Sequence, residues 1–131
     1  MRILSYNIRK AKGGWRARTD SHEIAVALRA RRPDLVLCQE VFHARADDGD
    51  HQSRALGDIL EFEATYGRNA VYSRGHHGNA TLTKYTIIAS KNFDLSTNPI
   101  ERRGLLWAQL EIDGRPLHVF NTHLGLNVRQ R

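Results

Sequence analysis

The chain has 131 residues, 40% of them hydrophobic and 26% charged, a balance that suits one globular domain and gives no ground for a second. It lacks the roughly 20-residue apolar run of a membrane-spanning helix and the apolar core of about 7–15 residues of a secretory signal; its one cysteine, Cys38, excludes an internal disulfide and an all-cysteine zinc site. A net charge of +6 and a pI near 10.0 favour encounter with polyanions, so a phosphate-bearing substrate is the safer inference and nucleic acid the narrower one.

Arg2–Asn7 is partly β-branched and runs into the glycine-containing Lys10–Gly14, so it reads as a strand feeding a loop. Ile24, Ala25, Ala27 and Leu28 then recur at helical spacing, with Thr19 or Asp20 as the cap and Pro33 as the stop. Leu35–Cys38 is a continuous apolar run, expected as a buried strand that polar Gln39-Glu40 ends. Gly49 and its aspartates mark a loop, and Gln52–Glu61 carries Leu56, Ile59 and Leu60 at helical offsets.

Beyond Tyr66 the period falls towards two. Strands are predicted over Asn69–Tyr72, Ala80–Thr83, Thr86–Phe93, Leu105–Ile112 and Leu117–Thr122, the last two joined by a hairpin at Asp113-Gly114. Alternating strand and helix in front and consecutive strands behind predict an α/β (α+β) domain, a mixed sheet with helices on one face. There is no internal repeat, low-complexity tract or linker.

Asn7 closes the first predicted strand and Glu40 the second. If those strands are parallel neighbours, an amide and a carboxylate converge on one sheet edge, where open α/β sheets place ligands. Both offer hard oxygen donors suited to Mg²⁺, with Mn²⁺ as the alternative. The competing reading is that Glu40 begins a solvated loop and Asn7 caps a turn. His123, in Asn121-Thr122-His123-Leu124, could stabilise charge on a phosphate or shuttle a proton, or be an ordinary surface residue. His76-His77-Gly78-Asn79 reads as a polar turn between strands, its adjacent histidines pointing opposite ways. No serine nucleophile elbow, P-loop or dinucleotide fingerprint is present.

Four segments, taken in order, resemble the successive motifs of the endonuclease/exonuclease/phosphatase superfamily: Leu4–Ile8, Pro33–Val41 with its Gln39-Glu40, Gly78–Leu82 and Asn121–Leu124. Tyr66–Asn69, His76–Asn79 and Glu101–Gly104 are similar to a little-characterised bacterial branch, and the likeness covers essentially the whole chain. Cys38 in the apolar strand and the lack of a proline before Ile87 depart from the pattern without touching its chemistry. The resemblance implies a four-layer sandwich, two mixed sheets with helices outside, of which this chain is the amino-terminal half, and Mg²⁺-dependent hydrolysis of phosphodiesters or phosphomonoesters. It implies Glu40 as the metal-binding glutamate, Asn7 as the asparagine beside it and a second ligand, and His123 at the reacting phosphate. His77, Asn79 and Arg103 are the candidate substrate contacts.

The family continues with a Gly-Asp-x-Asn and a Ser-Asp-His motif, which supply the general-base side. Nothing after His123 matches them. The chain is therefore expected to hold the metal side alone and to be weak or inactive by itself. An isolated sheet would expose the apolar face that a sandwich buries, so the missing half is expected from another chain or a second copy, unless the chain is a fragment. Nucleic acids, phosphoinositides, sphingomyelin and smaller phosphoesters are all substrates within the superfamily. Few aromatic residues accompany the basic ones, so no base-stacking platform is expected. The alternative function is a non-catalytic polyanion-binding module served by Arg16, Arg18, Arg29, Arg31 and Arg32; a homodimeric interaction domain ranks third.

Overall fold

The computed structural model describes residues 1–11, 20–45, 51–97 and 101–125. Strand β1 (Ile3–Asn7) lies parallel to β2 (Leu35–Ala44), with Ile3 opposite Leu35 and Asn7 opposite Gln39. A parallel pair needs a crossover, and helix α1 (Ser21–Arg29) supplies it. Asp20 caps that helix, its carboxylate accepting the His22 N–H at 3.2 Å. The helix ends at Arg29, short of Pro33, and Arg32 turns the chain at a φ of 48°. Helix α2 (Gln52–Leu60) stops at the left-handed Glu61. Strands β3 (Glu63–Tyr72) and β4 (Gly75–Thr83) then complete a four-stranded mixed sheet in the order β1-β2-β4-β3.

The remaining strands do not join that sheet. β5 (Thr86–Asp94), β6 (Gly104–Ile112) and β7 (Arg115–Thr122) form a separate three-stranded antiparallel sheet. Asp113 and Gly114, at φ 51° and 72°, make the predicted hairpin turn. Ile24, Leu28, Val36, Cys38, Leu56 and Leu82 are buried in the core between the helices and the mixed sheet. Leu35 packs with Ala108, Leu110 and Val119, and with Leu37 and Ile87, between the two sheets. The single sheet with a bare apolar face is thus corrected: β2 alternates its side chains between two cores, and the chain covers its own inner face. What stays open is the edges. Ile3 and Tyr6 of β1 and Phe120 of β7 are about half exposed on the outermost strand of their respective sheets.

Two further expectations change. Gln39-Glu40 does not end β2, which runs on to Ala44, and His76–Asn79 lies inside β4 rather than in a turn. Both strands flanking β4 carry a bulge, at Gln39-Glu40 in β2 and at Asn69 in β3. Side chains in a strand alternate with period two, so one extra residue switches every later side chain to the other face. Val36, Cys38 and Val41 all face the helices, a sequence possible only because the bulge releases Glu40 from the helix-facing parity. No helix of the described residues is long and apolar enough to cross a membrane.

Candidate active site

Both bulges lie level with the carboxyl end of β1, partway along β2, where Asn7 stands opposite Gln39. Glu40 sits at a φ of 53°, a left-handed conformation that costs a non-glycine residue about 1–3 kcal/mol and clusters at functional positions. Asn7 donates through Nδ2 to Glu40 Oε1 at 3.0 Å and accepts the Arg9 N–H on Oδ1 at 2.9 Å. His123 Nδ1 lies 3.9 Å from the same Glu40 oxygen. Asn7, Glu40 and His123 are therefore brought together, Glu40 from a bulge within β2 rather than from the expected strand end.

Behind them, asparagines from the small sheet hold the bulges. Asn121 donates through Nδ2 to Cys38 O at 3.1 Å and Ala80 O at 2.8 Å, and its Oδ1 accepts from Gln39 Nε2 at 2.8 Å. Asn92 donates to Arg68 O at 3.0 Å and to Asn69 Oδ1 at 3.1 Å, clasping the β3 bulge. Between the two, buried Asn79 donates to Gly104 O and Asn121 O. Asn79 thus joins the sheets and does not open to the cleft. Asn121 and Asn92 are the residues sequence reasoning missed here; their neighbours, Phe120 and Thr122 in one case and Lys91 and Phe93 in the other, give no signal that would have found them.

In front, a cleft of ≈ 210 Å³ is lined by Glu40, Lys10, Tyr72, His77, Arg102 and Arg103. Lys10 arrives on a turn, Arg9–Ala11, whose three non-glycine residues all have φ of 50–58°. Arg103 pairs with Glu101, while its buried Nε has no partner among the described residues. Burial alone would push the Glu40 carboxyl up, but the Asn7 hydrogen bond and the positive field of Lys10, His123 and His77 hold it below the usual carboxylate range. His77 is driven down to about 4, first by burial and then by Lys10 and Arg103. Burial and Arg103 also lower His123, against the opposing pull of Glu40 and Glu101.

Of the arginines expected to serve a polyanion, Arg29, Arg31 and Arg32 lie elsewhere. Arg29 donates to Ile59 O and Arg31 O accepts from Arg2, at the opposite end of the sheet from Glu40, and Arg32 follows directly. Arg16 and Arg18 fall outside the described residues, as do the Thr19 and Gly49 positions. Tyr72 was equally unforeseen. It reaches the cleft because the β3 bulge places it and Ala70 on the face of His77.

No family model matches the sequence. The Escherichia coli K12 protein YbhP, itself uncharacterized, is 35% identical over 141 aligned residues, covering 99% of this chain and 55% of that protein. The chain thus spans about half the length of the curated relatives it matches. Among solved structures, an endonuclease/exonuclease/phosphatase from Beutenbergia cavernae superposes with a TM-score of 0.79 at 23% identity, over 93% of this chain and 37% of that one. An endonuclease/exonuclease/phosphatase family protein from Leptotrichia buccalis gives 0.76 at 18%, over 99% and 57%. D. rerio TDP2 complexed with single strand DNA product gives 0.69 at 20%, over 98% and 47%.

Proposed function

Starting from a chain whose fold is that of the endonuclease/exonuclease/phosphatase superfamily, we propose that it carries the metal side of a divalent-metal-dependent phosphoester hydrolase, with Mg²⁺ as the ion and Mn²⁺ as a substitute. One observation carries the reading: a strained carboxylate, clamped by Asn7, stands in a cleft with Lys10, Arg102 and Arg103, whose only other carboxylate among the lining residues, Glu101, is already paired with Arg103. A module built only to bind polyanions would gain nothing from Glu40 there, since a carboxylate repels phosphate. The anion makes sense where a cation neutralises it and bridges to the substrate.

The donor set fits a hard ion. Glu40 is held ionised, and Asn7 Oδ1 retains one lone pair beyond the bond from Arg9. Mg²⁺ keeps several waters and takes one or two carboxylates, which matches a donor set of one carboxylate and one amide oxygen. When bound, such an ion supplies Lewis-acid polarisation of a phosphoryl oxygen. Lys10 and Arg103 would draw the phosphate in, and His123, neutral at pH 7, would donate a hydrogen bond to one of its oxygens. His77 and Arg103 line the substrate side; Asn79 supports them from behind.

The group that activates water is proposed to come from polypeptide beyond these 131 residues, whether as a continuation or from another chain, extending both sheets at the open edges of β1 and β7. A reducing, cytoplasmic setting is consistent with the buried free thiol of Cys38. The test is hydrolysis of a panel of phosphodiesters and phosphomonoesters with Mg²⁺ by the chain extended past Arg131. Glu40→Ala should remove the metal-dependent turnover; unchanged turnover would refute the assignment.

A further inference from the structure

Beside Glu40 the end of β3 lays a tyrosine against a histidine. The Tyr72 and His77 rings stack with centroids 5.2 Å apart and planes 22° from parallel. They are diagonal neighbours across the β3–β4 pair, in which Ala70 opposes His77 and Tyr72 opposes Gly75, a spacing aromatic side chains can bridge. His77 is only 8% exposed, with a buried Nδ1 that has no partner among the described residues, whereas Tyr72 is 52% exposed. The tyrosine is thus an open ring with a fixed backing. Lys10 Nζ stands 5.7 Å from its centroid, and Lys10, Glu40, Arg102 and Arg103 line the same cleft.

We infer that Tyr72 is a stacking platform for the base of a nucleotide whose phosphate lies at Glu40, so that the substrate is a nucleoside phosphoester presented with its base unstacked, at a single-stranded or terminal position. This rests on the phosphoesterase reading and narrows its substrate class. A flat π-face needs a flat partner, and base–aromatic stacking accepts any base. The cations placed around the ring suit the phosphate attached to that partner. An acyl chain finds no such fit, because Ala70 is the one aliphatic residue among the cleft lining. The ≈ 210 Å³ of the cleft is below the roughly 300–1,000 Å³ of typical small-molecule sites, a size that suits one planar group. Without the Asn69 bulge Tyr72 would share the helix-facing parity of Tyr66 and would not line the cleft.

The experiment compares two short single-stranded oligothymidylates of equal charge, one with its terminal base replaced by an abasic tetrahydrofuran, by fluorescence anisotropy at low salt with Ca²⁺ in place of Mg²⁺. Wild-type protein should bind the intact strand about tenfold or more tightly than the abasic one. Tyr72→Ala should collapse that ratio towards one, and Tyr72→Trp should keep it, with circular dichroism melts showing both variants folded. Equal binding of both strands by wild type, absence of binding to either, or discrimination that survives Tyr72→Ala each overturns the inference. Mg²⁺-dependent cleavage of a phosphodiester without a base, measured alongside on the chain extended past Arg131, separates the two readings. Cleavage without base discrimination sinks only the platform, and discrimination without any cleavage sinks the phosphoesterase.

Discussion

Asn121 reaches from the edge strand of the small sheet to the carbonyl oxygen of Cys38, 3.1 Å away and two residues before Glu40. Its other amide hydrogen goes to Ala80 O, so one side chain bonds both strands where the bulge begins. Removing it takes a donor from each of two carbonyls and leaves Gln39 Nε2 only its longer bonds to Ser5 Oγ and Leu37 O, and an orphaned buried polar group costs about 1–3 kcal/mol. Asn121→Ala should therefore destabilise the fold by about 2–4 kcal/mol. Urea unfolding checks this; a midpoint shift worth less than about 1 kcal/mol would show that the bulge holds itself.

Gly78 makes the second prediction. A Cβ built on it would collide with the carbonyl oxygen of Gly67 on β3, a backbone atom fixed by the ladder between the two bulges. Gly78→Ala should lose about 2–4 kcal/mol through overpacking, while Gly114→Ala, with open space around its Cβ, bears only the strain of its φ. Equal melting temperatures for the two variants would contradict the close approach.

Much of this was legible beforehand, and the boundary has a physical cause. The parallel β1–β2 pair, its helical crossover, the Asp113-Gly114 hairpin and the meeting of Asn7 with Glu40 all follow from local period and composition. The sheet partition does not, because an alternating strand such as β6, buried at Leu106, Ala108 and Leu110, reads the same whichever sheet it joins. Nor do the bulges, since polar Gln39-Glu40 in a strand looks like its end. Tyr72 was hidden by the same parity switch. The three asparagines look like turn residues in sequence and become visible only as donors to carbonyls from distant strands.

Acid should weaken the fold through His43. Its ring is hydrogen-bonded to Ser53 Oγ at 2.7 Å, stacked on Tyr66 at 3.9 Å and flanked by His51 and His76. Burial first, then the two histidines, push it down to about 4 from 6.5. Between those values the unfolded chain binds the extra proton, so stability rises with pH across that window and is flat above it. His77, lowered in the same direction, adds to the slope. From pH 7 to 5 His43 should account for about 1–2 kcal/mol, held there by solvent screening of a half-exposed ring. His43→Leu should flatten the stability–pH profile in part; an unaltered slope would mean that the ring is protonated in the fold.

The metal reading is most sharply tested through Asn7, which touches Glu40 without carrying its charge. Groups that orient a ligand typically account for about 10–100-fold in metal affinity. Asn7→Ala should lower Mn²⁺ affinity by that order in a titration followed by electron paramagnetic resonance, and Glu40→Gln should abolish it. Asn7→Asp separates orientation from charge. It keeps an acceptor for the Arg9 N–H but sets a second carboxylate against Glu40, so the metal-free protein should melt earlier, and Mn²⁺ should restore the loss by binding between the two. If Mn²⁺ leaves the melting of Asn7→Asp unmoved, the two side chains share a hydrogen bond and no ion.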